Sequence, residues 1–98
     1  MKRKFNKEHK EWREKILRRD DFKCVVCGNG PKYLNAHHIL PSEFSQFALE
    51  TNNGLTLCPH CHTLGKFSAH KNPLWFTNWL SVRFPHLFAI ATRRLHAV

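Results

Sequence analysis

The chain is short of negative charge. Seven Asp and Glu stand against sixteen Lys and Arg, a formal net charge of +9 over 98 residues. That balance favours a polyanionic partner, most simply DNA or RNA, although charge alone leaves open a basic protein that is merely soluble. No apolar run is long enough to cross a bilayer, which excludes a spanning helix. Met1-Lys2-Arg3-Lys4 is followed by further charge where a secretory leader needs an apolar stretch, so no signal is expected. No cysteine is left over, because all four fall in two Cys-x-x-Cys pairs, whereas a small secreted disulfide scaffold spreads its cysteines. Repeats and low-complexity segments are absent as well. What remains is one small domain over residues 1–98, expected in a reducing compartment, the cytoplasm, and in need of a staple beyond its modest core.

The N-terminal segment, about 6–19, reads as a basic amphipathic helix. Phe5, His9, Trp12, Ile16 and Leu17 fall near one face, and Asn6 is placed to cap it. Glu11 with Lys15 and Glu14 with Arg18 are spaced four apart in the favourable order. The helix either lies along a phosphate backbone or presents a solvated outer face. Asp20 to Pro31 reads as a knuckle in which Gly28 supplies the positive φ that such turns need. Tyr33 to Leu40 and Leu55 to Leu57 read as short antiparallel strands, with Ser42 to Thr51 as a loop between them and Asn53-Gly54 as a turn. Pro59 suits the first turn of a helix carrying Cys61 and His62. Two C-terminal helices are expected over about 73–95. Asn72-Pro73 starts the first, whose apolar face is Leu74, Trp75, Trp79, Leu80 and Val82, and Pro85 ends it. The aromatics Trp75, Phe76, Trp79 and Phe84 read as core packing.

The cysteine pairs carry the clearest chemistry. Cys-x-x-Cys lets two thiolates from one tight turn reach the same ion, and Cys24, Cys27, Cys58 and Cys61 together fill a tetrahedral structural Zn2+ site. Redox motifs or two separate disulfides are the competing readings, and neither explains why the pairs bracket a histidine cluster. Residues 28 to 57 separate the pairs, longer than in a simple zinc ribbon, so that segment should carry its own structure. Metal binding would then supply much of the folding free energy.

Between and beside the pairs stand Ala36-His37-His38-Ile39-Leu40-Pro41, Asn53-Gly54-Leu55 and Leu57-Cys58-Pro59-His60-Cys61-His62. This ordered set resembles the HNH endonuclease family over about 22–70, in the branch whose ββα-metal core is clasped by a four-cysteine zinc. The resemblance implies an α+β fold: a two-stranded hairpin packed on one helix with a metal between them, flanked here by N- and C-terminal helices. It places His38 as the general base, His37 and His62 as ligands of a catalytic divalent ion, and Asn53 as the residue that braces the loop and orients the base. Colicin-type relatives carry a further metal-binding His one helical turn on, where this chain has Lys66. His70 is either a substitute ligand or a phosphate contact, with a surface histidine at a helix end the plain alternative. His60 is expected to face solvent.

The residue types suit that chemistry. Successive side chains of a strand point to opposite faces, so His37 can face a metal while His38 faces an attacking water. A neutral imidazole, with an unperturbed pKa of about 6.5, accepts a proton near neutral pH. Imidazole ligands tilt the catalytic metal towards Mn2+, Ni2+, Co2+ or Zn2+, with Mg2+ carrying extra waters also open. Lys23, Lys32, Lys66, Lys71, Arg18 and Arg19 are the expected phosphate contacts.

The leading expectation is therefore a metal-dependent endonuclease cutting DNA phosphodiesters, by nicking or double-strand cleavage. It would resemble phage-encoded or restriction-associated proteins and act as a monomer or weak dimer, or with a partner subunit. A zinc-stabilised nucleic-acid binder without cleavage is the main rival, and a zinc-knuckle protein-interaction domain the weaker one. A binder has no use for His38 as a base, and an interaction domain leaves the +9 charge without a purpose.

Overall fold

Apolar residues at helical spacing near the N-terminus need a surface to cover, and the strand pair provides it. In the computed structural model α1 spans Lys2–Arg19, with Trp12, Ile16 and Leu17 buried. The structure describes residues 2–30 and 32–97, and side chains from residue 7 onward; the side chain of Phe5, and Pro31, lie outside the described residues. Asn6 is not a cap. The helix already runs through it from Lys2, because no proline or glycine interrupts the segment before it. The ion pairs among the described residues are Arg19–Asp20, Lys23–Asp21 and Arg94–Glu50. The expected Glu11–Lys15 and Glu14–Arg18 pairs are not among them, as suits exposed side chains that gain little from pairing.

The knuckle follows. Cys24 N–H donates to Asn29 O at 2.8 Å, Gly28 N–H donates to Cys24 O at 2.8 Å, and Gly28 adopts the left-handed φ of 79°. Two strands, β1 (Asn35–His38) and β2 (Gly54–Leu57), pair antiparallel with Asn35 opposite Leu57, His37 opposite Leu55 and His38 opposite Gly54. β1 is shorter than the predicted Tyr33–Leu40. All four residues of β2 are buried because both its faces are covered. Gly54 lies against Trp12 and Ile16 of α1, while Leu55 and Leu57 join Cys24, Cys58, Cys61 and Phe76 in the core. The segment Ser42 to Thr51, read as a loop, contains a 3-10 turn, Ser45–Phe47, and a second, Thr51–Asn53, begins at its last residue. Trp12 Nε1–H ties it to α1 by donating to Glu50 O at 2.8 Å.

The expected helix after Pro59 is one wide turn, His60–Leu64, closed by Gly65 N–H donating to His60 O at 2.8 Å. A Cβ at Gly65 would come within 2.6 Å of the His60 ring and 2.9 Å of its carbonyl, so glycine alone lets the chain leave there. α2 (Pro73–Arg83) begins as the sequence predicts, with Asn72 Oδ1 accepting from Trp75 N–H at 3.1 Å. Its buried residues are Phe76 and Leu80, with Trp75 and Trp79 packed against the core beside them. Leu74 and Val82, assigned to that apolar face, are 81% and 69% exposed. Each lies two positions from Phe76 or Leu80, about 200° round the helix and so on its far side. Only Phe84 separates α2 from α3 (Pro85–His96), which buries Leu87 and Ala91. Among the described residues no helix is long and apolar enough to cross a membrane.

The contact of α1 with Gly54 yields a signed prediction. Gly→Ala in an unstrained extended backbone is stabilising by about 0.4–1 kcal/mol. Here the new Cβ would overlap both Ile16 and Trp12. Gly54→Ala should therefore destabilise the domain by about 1–3 kcal/mol in urea titration; an unchanged or raised midpoint would show that α1 does not seat there.

Candidate active site

Four thiols from two distant turns meet at one point. The sulfurs of Cys24, Cys27, Cys58 and Cys61 all lie within 4.8 Å of one another, with Cys27 Sγ and Cys58 Sγ at 3.7 Å. A tetrahedral ion with sulfurs at about 2.3 Å separates them by about 3.8 Å, so the cradle has the right dimension. Cys61 N–H points at Cys58 Sγ at 3.4 Å. Burial works to raise the Cys24 thiol, but hydrogen bonds from the backbone of Cys27, Cys58 and Val26 outweigh it and hold that pKa down. Cys61 is pushed up by burial and by its bonding and charge contacts with Cys58 and Cys24, and burial also raises Cys27. Four thiolates can thus share this space only with a cation among them, and the donor set fits zinc.

The same turn carries the second cluster. Cys58 and Cys61 hold the His60–Leu64 turn in place, and His62 projects from it towards β1. The chain then doubles back, with Ala69 N–H on Cys61 O at 2.9 Å and His70 N–H on His62 O at 3.0 Å. That return seats His70 beside His62. Ligand nitrogens of His37, His62 and His70 lie within 4.8 Å of one another, and His62 Nε2 and His70 Nε2 are 3.1 Å apart. Ligands about 2.0–2.1 Å from a tetrahedral ion would stand about 3.3 Å apart, close to that spacing. The ring of Phe76 packs edge-on to His37 at 5.2 Å. Burial, then the charges of His62, His70 and His38, push His37 down to about 3. Burial and His70 lower His62 likewise. At neutral pH both imidazoles are neutral, as metal ligands must be.

His38 occupies the other face of β1. Its ring stacks on Trp12 at 4.1 Å with the planes 10° apart, and His9 lies 5.8 Å away. Its Nε2 is 2.9 Å from the Ala48 carbonyl. A carbonyl only accepts, so Nε2 carries the proton and Nδ1 keeps the lone pair. Burial lowers the His38 pKa against the opposing Ala48 bond, and His9 lowers it further. Asn53 is 5% exposed and grips the strap that brings Ala48 there. Its Oδ1 accepts from Leu40 N–H at 2.7 Å, while its Nδ2 donates to Leu40 O at 3.1 Å and Phe47 O at 3.3 Å. An open cavity of about 480 Å³ lies over the site, lined by His37, His38, Ser42, His62, His70 and Thr77 among others.

The basic residues divide. Lys66 stands exposed between His62 and His70, and Lys71, exposed directly after His70, donates from Nζ to Leu64 O at 3.1 Å. Lys23 and Lys32 lie on the knuckle side, the first beside Asp21 and the second over the Tyr33 ring, and Arg18 is exposed. Arg19 is engaged inward, donating to Thr51 O, Gly54 O and Asp20, whose Oδ2 accepts Thr56 N–H at 2.9 Å. His60 is exposed as expected. Sequence reasoning missed the stack of Trp12 on His38 and the packing of Phe76 on His37. Both residues carry apolar signals in the chain, and their histidine partners are set by tertiary contact alone.

Two comparisons bear on this geometry. The HNH endonuclease family profile matches residues 24–66, the stretch from the first cysteine pair to the end of the histidine-bearing turn. Anaredoxin of Nostoc sp. (strain PCC 7120 / SAG 25.82 / UTEX 2576) is 32% identical over 56 residues, which cover 57% of this chain and 72% of that protein. No solved structure matches the chain. The matched stretch holds both cysteine pairs, His37, His38, Asn53 and His62, and the chain belongs to the HNH endonuclease family.

Proposed function

We propose that this protein is a metal-dependent endonuclease that hydrolyses DNA phosphodiester bonds in the cytoplasm, with His38 as general base and Zn2+ held by the four cysteines as scaffold. The observation that carries the reading is the division of labour across β1. His37 meets His62 and His70 on one face, while His38 is clamped separately on the other.

His38 enters the reaction neutral, with its free Nδ1 as proton acceptor. Nδ1 takes a proton from water as the water oxygen attacks phosphorus; the P–O3′ bond breaks, leaving a 5′ phosphate and a 3′ hydroxyl whose proton comes from solvent. Trp12 fixes the plane of the imidazole, and the Ala48 carbonyl fixes its tautomer. Asn53 acts one step removed, holding the strap that bears that carbonyl. His37, His62 and His70 would hold the second cation, a divalent metal such as Mn2+ or Mg2+. When bound, it supplies positive charge to the phosphate and leaving oxygens. Lys23, Lys32, Lys66, Lys71 and Arg18 attract and position the phosphate backbone without reading bases.

Supercoiled plasmid incubated with Mn2+ or Mg2+ should be nicked, and His38→Ala should slow nicking by about 10²–10⁴-fold with DNA affinity in a gel-shift assay retained. Cutting at the wild-type rate would remove His38 from the mechanism and leave a binding module. The pH profile follows from the sign of the shift. The His38 pKa lies below its ordinary 6.5, so the base stays unprotonated down to that pH and the rate should fall only on further acidification. A rate already half lost above pH 7 would contradict this. Cys58→Ser should unfold the domain by circular dichroism, whereas His62→Ala should keep its helicity and lose the divalent-ion dependence. Equal loss of helicity in both would make His62 structural.

A further inference from the structure

The segment that returns from His62 to His70 leaves an aromatic ring in solvent. Phe67 is 54% exposed, three residues before His70. It is the outer end of a line of rings that begins in the metal cluster. His37 packs on Phe76 at 5.2 Å, Phe76 neighbours Trp75 at 6.4 Å, and Trp75 neighbours Phe67 at 5.9 Å. Lys66 Nζ stands 5.9 Å from the centre of the Phe67 ring, and Lys71, exposed just past His70, folds its Nζ back to within 3.1 Å of Leu64 O. Leaving a large ring half in water forgoes part of the favourable burial open to it. The core does not need Phe67, since Trp75 and Phe76 already close it.

We infer that Phe67 is a stacking platform for an unpaired base, and that the preferred substrate is a single-stranded or locally opened stretch of DNA entering over the Lys66–Lys71 segment. This rests on the nuclease reading above and names its substrate class. The commitment to nucleic acid comes from charge. An exposed aromatic flanked by lysines, in a chain of net charge +9, suits a polyanion that also offers flat π faces. In a closed duplex those faces are stacked on one another and unavailable. A paired target would therefore contact the lysines and leave the ring unused.

The test is fluorescence anisotropy of the full chain with a labelled mixed-sequence single strand and with its duplex, cleavage of both being followed in parallel. Phe67→Ala should weaken single-strand binding by about five- to hundredfold, the range that base-on-ring stacking contributes, and leave duplex affinity unchanged. Phe67→Trp should restore single-strand binding. Val82→Ala, at an exposed apolar residue on the far end of α2, should alter neither probe. Losses that are equal on both probes, or absent on both, would overturn the platform, as would a tryptophan variant as weak as alanine. A wild-type chain that cuts neither probe would defeat the nuclease reading, while the alanine and tryptophan affinities would still decide the role of Phe67.

Discussion

Everything in the centre of this molecule hangs on the convergence of four sulfurs. A 98-residue chain has little core to spend on holding a tight turn in one place. The second cysteine pair removes that difficulty by anchoring the turn that carries His62 at both of its leading corners, while the first pair locks the knuckle against β2 through Val25 N–H on Thr56 O. The thiols cannot all ionise in that volume without a cation. The clasp and the fold are therefore linked: an ion that satisfies the sulfurs also sets the position of the histidine four residues beyond Cys58.

The strand pair then performs a separation that no loop could perform as cheaply. Alternation along β1 sends His37 and His38 to opposite faces, and pairing with Leu55 and Gly54 fixes what each one meets. His37 meets His62, His70 and Phe76. His38 looks at α1, where glycine at the opposing position lets the helix approach closely enough for Trp12 to lie flat on the imidazole. The backbone keeps the two rings apart, and Asn53 holds the strap whose Ala48 carbonyl meets His38.

The helices outside the matched stretch serve the centre in different ways. α1 supplies the ring beneath His38, and its last residue Arg19, with Asp20 just beyond it, hydrogen-bonds to the edge of β2. α2 closes the other side by placing Phe76 on His37, and α3 reaches back to the strap with Arg94 on Glu50 and over Phe47. Positive charge is thus not all available to a polyanion. Arg19 is consumed in holding the fold, whereas Lys66 and Lys71 are exposed on either side of His70 in the chain, Lys71 with a single bond to Leu64 O.

Local chemistry could be read directly from the chain: two cysteine pairs spaced to share an ion, a His-His dipeptide that must split across a strand, an Asn-Pro helix start and a glycine in the knuckle. Each is decided by residues a few positions apart, so spacing and stereochemistry suffice. What spacing could not decide was set by long-range packing. The helix expected after Pro59 stops after one turn because Gly65 leaves beside the His60 ring, and Leu74 and Val82 face water because the core takes Phe76 and Leu80 instead. The third imidazole follows the same rule. His70 is eight residues from His62 and belongs to no motif with it, yet the return of the chain onto Cys61 and His62 brings their nitrogens to 3.1 Å. The sequence determined which atoms could bind a cation or accept a proton. Only the tertiary structure decided which of them share a space, because that depends on hydrogen bonds and burial between segments the chain itself keeps apart.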